Sequence, residues 1–182
     1  NTKPMPSAGG LSIVIAFSIA TLVFIPLLTS TNAPIKSYLS YTLPVVGAGW
    51  IIALTGLIDD VKELSAKKKM IGILLAASLV WFLTDFRLND FKIPFGGPLL
   101  HFEPWLSYLL TVIWIVAITN AVNLIDGLDG LVSGVSIISL VTMGIVSYFF
   151  LPVPNLFLTM TIFVLVASIA GFFPFNYHPA IL

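Results

Sequence analysis

Asn120-Ala-Val-Asn123-Leu-Ile-Asp126-Gly127-Leu-Asp129-Gly130-Leu131 separates two apolar runs, residues 106–118 and 131–151. Read with their flanks as 105–122 and 131–151, both runs reach the roughly 17–25 mostly apolar residues that a helix needs to cross a bilayer. Two carboxylates and two amides at the edge of such a span are expensive to place. Polar groups there persist mainly where they bind or react with something.

Composition supports the membrane reading. The 182 residues are 58% hydrophobic and 9% charged, with a mean hydropathy of +1.07, whereas a soluble domain carries about 25% charged residues. A net charge of zero supplies no basic field for nucleic acid. The absence of cysteine removes disulfides, thiolate chemistry and cysteine-ligated metals. The expected fold is all-α, a polytopic transmembrane helix bundle with about six spans, at 11–28, 38–58, 70–83, 105–122, 131–151 and 156–173. The third span is short and draws on Lys67–Lys69 by snorkelling. Pro26 and Pro44 fall near span ends, where a missing backbone donor is cheapest. Trp81 and Trp105 suit interfacial anchoring.

Six spans fix which loops share a face. Lys3, Lys62, Lys67, Lys68 and Lys69 fall on one face, and Lys36, Arg87 and Lys92 on the other. The excess places the first face in the cytoplasm, and every Asp-rich and Asn-rich motif lands there. On the outer face, Lys92-Ile-Pro-Phe-Gly96-Gly97-Pro-Leu-Leu-His101-Phe reads as a small extracytoplasmic β-hairpin. His101 is assigned no chemistry, and Asp85, Asp90 and Glu103 read as solvated loop charges. Residues 1–182 read as a single integral membrane domain. With no initiator Met, no signal peptide and an end just after a polar patch, the chain is expected to be an internal portion of a longer protein.

Two clusters carry the chemistry. Asp59 and Asp60 end an apolar run and precede Lys62, Lys67 and Lys69. Adjacent carboxylates at a membrane surface suit Mg2+, which takes one or two carboxylates plus substrate phosphates, and the lysines offer charge to phosphate oxygens. An ordinary solvated loop explains this segment equally well. In the second cluster Asn120, Asn123, Asp126 and Asp129 recur every third residue, so on a helix consecutive members neighbour one another. Gly127 and Gly130 weaken the helix and let backbone approach a ligand. A helix cap and turn would account for one Asp, but not for two Asp, two Asn and two Gly together. Pro4, Pro6 and Gly9-Gly10 form a stiffened loop at a span start, and His178 follows Asn176 near the chain end; a linker and a structural histidine are the plain readings of these.

These pieces resemble the polyprenyl-phosphate N-acetylhexosamine-1-phosphate transferases, membrane enzymes of the glycosyltransferase 4 type. The resemblance rests on Lys3-Pro-Met-Pro6-Ser-Ala-Gly9-Gly10-Leu, on Gly56-Leu-Ile-Asp59-Asp60 with Lys67 and Lys69, on the Asn120–Leu131 stretch quoted above, and on Phe175-Asn176-Tyr-His-Pro179-Ala180. The Asn-Leu-Ile-Asp form resembles the branch using undecaprenyl phosphate and N-acetylglucosamine 1-phosphate. The resemblance implies catalytic roles for Asp59, Asp60, Asp126 and Asp129, and metal binding by Asp59, Asp60 and Asp126. It implies substrate binding by Asn123, Lys67, Lys69, Asn176 and Lys3. It further implies Mg2+, with Mn2+ as a substitute, a UDP-N-acetylhexosamine donor, a polyprenyl phosphate acceptor, the lipid bilayer as surroundings and a homodimer as one expected assembly. The implied location is the bacterial inner membrane with a cytoplasmic active site, serving a cell-envelope polysaccharide or teichoic acid linkage unit. Ser7-Ala8 and Ile181 depart from basic positions of the family. Upstream spans, and a later Gly-Asp motif with a His-rich loop, are expected outside residues 1–182.

A cation-coupled transporter is the competing reading, since intramembrane carboxylates line ion pathways. Transport sites, however, usually lie at the bilayer midplane on broken helices, and here the aspartates sit at span ends. A non-enzymatic assembly subunit would need no clustered carboxylates. The enzyme reading requires the aspartates to gather into one anionic pocket on the inner-leaflet side.

Overall fold

The computed structural model describes residues 9–24, 26, 35–151 and 155–177. Helix α1, Gly9–Ile19, runs on as a π-helical turn, Ala20–Phe24. Then follow α2 (Ile35–Lys62), α3 (Ala66–Leu83), the strands β1 (Asp90–Lys92) and β2 (Leu99–His101), α4 (Pro104–Ile125), α5 (Leu131–Phe149) and α6 (Leu156–Asn176). Among the described residues, four helices are long and apolar enough to cross a membrane, over Tyr38–Lys62, Pro104–Ile125, Leu131–Phe149 and Leu156–Asn176, and the shorter Gly9–Val23 is also apolar. Many large apolar side chains face outward, among them Phe82, Ile138 and Phe149. That pattern is unfavourable in water, but it costs nothing against lipid or further apolar helices.

The helices form an open arc. α3 packs between α2 and α4, α1 packs between α2 and α6, and α6 carries α5. α4 and α5, although joined directly, barely meet. Without a hydrophobic drive between helices in lipid, close approach depends on small residues and on side-chain hydrogen bonds. Gly72, Ala76 and Ala77 are the buried residues of α3. A Cβ on Gly72 would sit 2.3 Å from Thr55 Oγ1 and 2.8 Å from its Cγ2, so α2 and α3 are in backbone-level contact. Polar ties cross three of the interfaces. The Trp50 indole donates to Ser18 Oγ at 3.0 Å, Ser78 and Tyr108 hydroxyls meet at 2.9 Å, and Ser147 and Thr159 hydroxyls meet at 3.0 Å.

Several expectations shift in detail. α3 begins at Ala66, so Lys67–Lys69 belong to the helix and lengthen it, where the sequence suggested a span starting at residue 70. Their backbone starts the helical ladder, with the N–H groups of Lys68 and Lys69 donating to Ser65 O. Pro44 lies inside α2, because the helix starts at Ile35 and continues through it. Its ring contributes no N–H to the helical ladder. Trp81 packs inward, donating to Ser107 Oγ at 3.3 Å beneath the Arg87 guanidinium, 4.7 Å from the ring centre. Trp105 stays exposed, as an interfacial anchor should.

The hairpin forms as expected. Asp90 pairs with His101, Phe91 with Leu100 and Lys92 with Leu99, and Phe95 and Gly96 take positive φ at the turn. Asp90 is more than a solvated charge, because its carboxylate meets His101 Nδ1 across the strands.

Replacing Gly72 with Ala is expected to destabilise the detergent-solubilised protein by on the order of 1–3 kcal/mol, the usual range for overpacking. Adding Thr55→Ala removes two of the three colliding atoms and should recover most of that loss. A thermal midpoint unchanged by Gly72→Ala alone would contradict this close α2–α3 contact.

Candidate active site at the ends of six helices

The Asp59 carboxylate organises the junction of α2 and α3. α2 stops after Lys62 with Glu63 at φ +46°, and the Glu63 N–H reaches back to Asp59 O at 2.7 Å. The next N–H, of Leu64, donates to Asp59 Oδ1 at 2.9 Å. The other carboxylate oxygen, Oδ2, meets Lys69 Nζ at 2.5 Å. One side chain therefore finishes a helix and clamps the start of the next. Carboxylates at a helix C-terminus oppose the helix dipole. Here Lys62 in the same turn and Lys69 across the junction supply compensating charge.

This clamp forms one wall of a cleft of about 140 Å³, between Thr55, Gly56 and Asp59 of α2, Lys69 of α3, and Asn120 and Asn123 of α4. The Asn120 amide nitrogen donates to Val116 O at 2.8 Å, which leaves its oxygen as the atom suited to a cation or hydroxyl. Asp59, Asn120 and Asn123 bring hard oxygen donors, the type that Mg2+ takes. Ile52 and Ile73 give the same cleft an apolar side.

α4 ends at Ile125, and Asp126 is its C-cap with φ −79° and ψ 44°. The three-residue interval thus acts on a helix for Asn120 and Asn123 only. Asp126 and Asp129 are placed by the turn that follows. Gly130 closes this turn at φ +75°, a left-handed conformation that favours glycine. From there α5 starts, with Gly134 N donating to Gly130 O at 2.9 Å. A Cβ on Gly130 would lie 3.5 Å from Asn176 O and 3.6 Å from Tyr177 Cα, so the turn rests against the end of α6.

A second cavity, about 310 Å³, opens beside this turn. Asp126, Gly9, Gly10, Val132, Ser133 and Asn176 line it. The Asn176 amide donates to Ser133 Oγ at 2.9 Å. The two cavities share the C-terminal end of α4. Asn123 faces one and Asp126 the other, three residues apart, or about 4.5 Å of helical rise.

The structure thus brings Asp59, Lys69 and Asn123 to one cavity and Asp126 and Asn176 to its neighbour. This differs from a single anionic pocket: the aspartates are divided, and Asp59 shares its cavity with a lysine. Among the described residues no three acidic or imidazole side chains gather around one point. Mg2+ held by one or two carboxylates and substrate phosphates needs no such trio. Asp60 lies in the last turn of α2 and Asp129 in the 126–130 turn, and each has an interaction partner. Lys67 is exposed in the first turn of α3. Lys3 and His178 lie outside the described residues. Sequence reasoning missed Thr55, Val132 and Ser133. Their one available signal was position, a helical turn away from Asp59 and just past Gly130.

Residues 42–182 match Glycosyl transferase family 4. That range holds all the described polar residues of both cavities and excludes Gly9 and Gly10. Over 179 residues the chain is 39% identical to the "Probable undecaprenyl-phosphate N-acetylglucosaminyl 1-phosphate transferase" of Bacillus subtilis (strain 168), an alignment covering 98% of this chain and 46% of that protein. The chain spans about half the length of this curated relative. No solved structure matches it. With the family pattern running from α2 through the end of α6 and across both cavities, the chain belongs to glycosyl transferase family 4.

Proposed function

We propose that this chain is the portion of a membrane transferase that moves N-acetylglucosamine 1-phosphate from UDP-N-acetylglucosamine to undecaprenyl phosphate, releasing UMP. The work takes place at the cytoplasmic face of a bacterial cell membrane and begins a cell-envelope polymer. The observation that carries this reading is the pairing of two adjoining polar cavities at one end of an apolar bundle, inside the region of the family match. The name of the Bacillus subtilis relative supports the choice of substrates.

The chemistry follows from where each substrate can stand. The lipid phosphate stays at the interface while its tail remains in hydrocarbon, and the cleft with Lys69 and an apolar side suits that arrangement. The nucleotide sugar, coming from water, suits the larger cavity of Asp126 and Asn176. Transfer proceeds by attack of a lipid phosphate oxygen on the β-phosphorus of the donor. The bond from that phosphorus to the bridging oxygen breaks, and UMP leaves with its electron pair. A phosphate monoester has a second pKa near 6, so the acceptor is largely a dianion at neutral pH and needs no strong base. Asp59 then acts by holding Lys69 in the cleft, and Lys69 draws the lipid phosphate into line. Positioning and charge stabilisation of this kind are the main demands of phosphoryl transfer. Mg2+ would neutralise diphosphate and departing-group charge, held by one or two carboxylates, Asp126 beside the larger cavity or Asp59 in the cleft, together with substrate phosphates.

Full-length protein in detergent, given undecaprenyl phosphate and a series of UDP-sugars, should release UMP fastest with UDP-N-acetylglucosamine and stop when divalent ions are chelated. Ion uptake by proteoliposomes with no UMP release under any condition would favour a transporter instead. Asp59→Asn and Asp60→Asn should each abolish turnover, on the scale of about 100-fold or more seen when a charge-stabilising group is removed. Lys69→Ala should act chiefly on the lipid, raising its KM by about tenfold, in the range for a hydrogen bond to a charged group. Near-normal turnover in Asp59→Asn would remove the cleft from the mechanism, and near-normal turnover in both variants would reject a role for the acidic pair.

A further inference from the structure

We propose that Ser133 is a positioning residue, setting the amide of Asn176 so that its carbonyl oxygen meets the nucleotide sugar. The inference rests on the reading that the Asp126 cavity receives that substrate.

Three observations lead to it. Asn176 is the last residue of α6, and Pro174 lies in the final turn. Proline has no N–H to give the preceding turn, and Tyr177 is already extended. Ser133 stands in the first turn of α5, is 5% exposed and accepts the Asn176 amide N–H at 2.9 Å. Both side chains line the same cavity as Asp126. The close approach of Gly130 to Asn176 O keeps the ends of α5 and α6 in register across this bond.

The hydroxyl does more than join helices. An asparagine amide presents two hydrogen-bond donors at one end and an acceptor at the other. Committing one N–H to Ser133 fixes which way the amide faces. The carbonyl oxygen is then the partner for an N–H or O–H, the groups that a nucleobase or a sugar would offer.

The test is steady-state kinetics on the full-length enzyme, varying UDP-N-acetylglucosamine and undecaprenyl phosphate separately. Ser133→Ala should raise the KM for the nucleotide sugar about five- to tenfold, the range for one lost hydrogen bond, leaving kcat and the lipid KM unchanged. Ser133→Cys, similar in volume with a weaker acceptor, should fall between, and it answers the same question if the alanine variant folds poorly. Asn176→Ala should raise the same KM, and the double variant should add nothing, since the two act as one unit. If Asn176→Ala raises the nucleotide KM and neither Ser133 variant does, or if the effects simply add, Ser133 does not position Asn176. If Asn176→Ala leaves the nucleotide KM unchanged, the underlying assignment of the cavity fails, and this proposal fails with it.

Discussion

Hydrocarbon offers no water to backbone N–H and C=O groups, so a chain crossing it must satisfy them internally. This constraint decides nearly everything else in the molecule. It makes the spans helical, and it confines turns, caps and charges to helix ends. Among the described residues, no buried side-chain nitrogen or oxygen lacks a partner. Serine and threonine hydroxyls inside the helices bond to carbonyls one turn back, as at Thr42, Thr55 and Thr161. Polar chemistry therefore collects where helices stop, and the stops of α2, α4 and α6 lie together with the starts of α1, α3 and α5.

At that end the structure uses local breaks to place functional groups. Glu63 and Gly130 both take left-handed backbone, each just where a helix must stop or start. The first break turns Asp59 into a clamp on Lys69, and the second lays the Asp126 turn against Asn176. Each arrangement joins elements that are neighbours in sequence to elements that are not. The hydrogen bond from Asn176 to Ser133 spans 43 residues, and the cleft of Asp59 takes a wall from α4. The helices form an open arc, with α4 and α5 barely touching.

Much of this was legible beforehand for a physical reason. Apolar run length is a direct record of the bilayer, and the alternation of runs with Asp-rich and Asn-rich loops assigns the motifs to one face. The hairpin was equally visible, because Gly-Gly-Pro between short apolar pieces has few other uses. Boundaries were less visible. Lys67–Lys69 join α3 because Ser65 starts its ladder and the lysines can lie at its water-facing end, which hydropathy alone does not count. Pro44 sits within α2 because one lost hydrogen bond does not stop a long apolar helix. The helical spacing of Asn120, Asn123, Asp126 and Asp129 was real for only its first half, since Gly127 and Gly130 favour a turn.

The sequence by itself determined the class of molecule, the side on which its chemistry gathers and the residue types available there, since these follow from burial costs that each segment meets alone. Only the tertiary structure decided how those residues are shared out. Whether Asp59 meets a metal, a phosphate or Lys69, and whether Asp126 shares its cavity or borders it, depends on how helix ends are offset against one another. Those offsets come from small residues such as Gly72 meeting Thr55, and from Gly130 resting on α6. They are contacts between distant parts of the chain, and no local pattern records them.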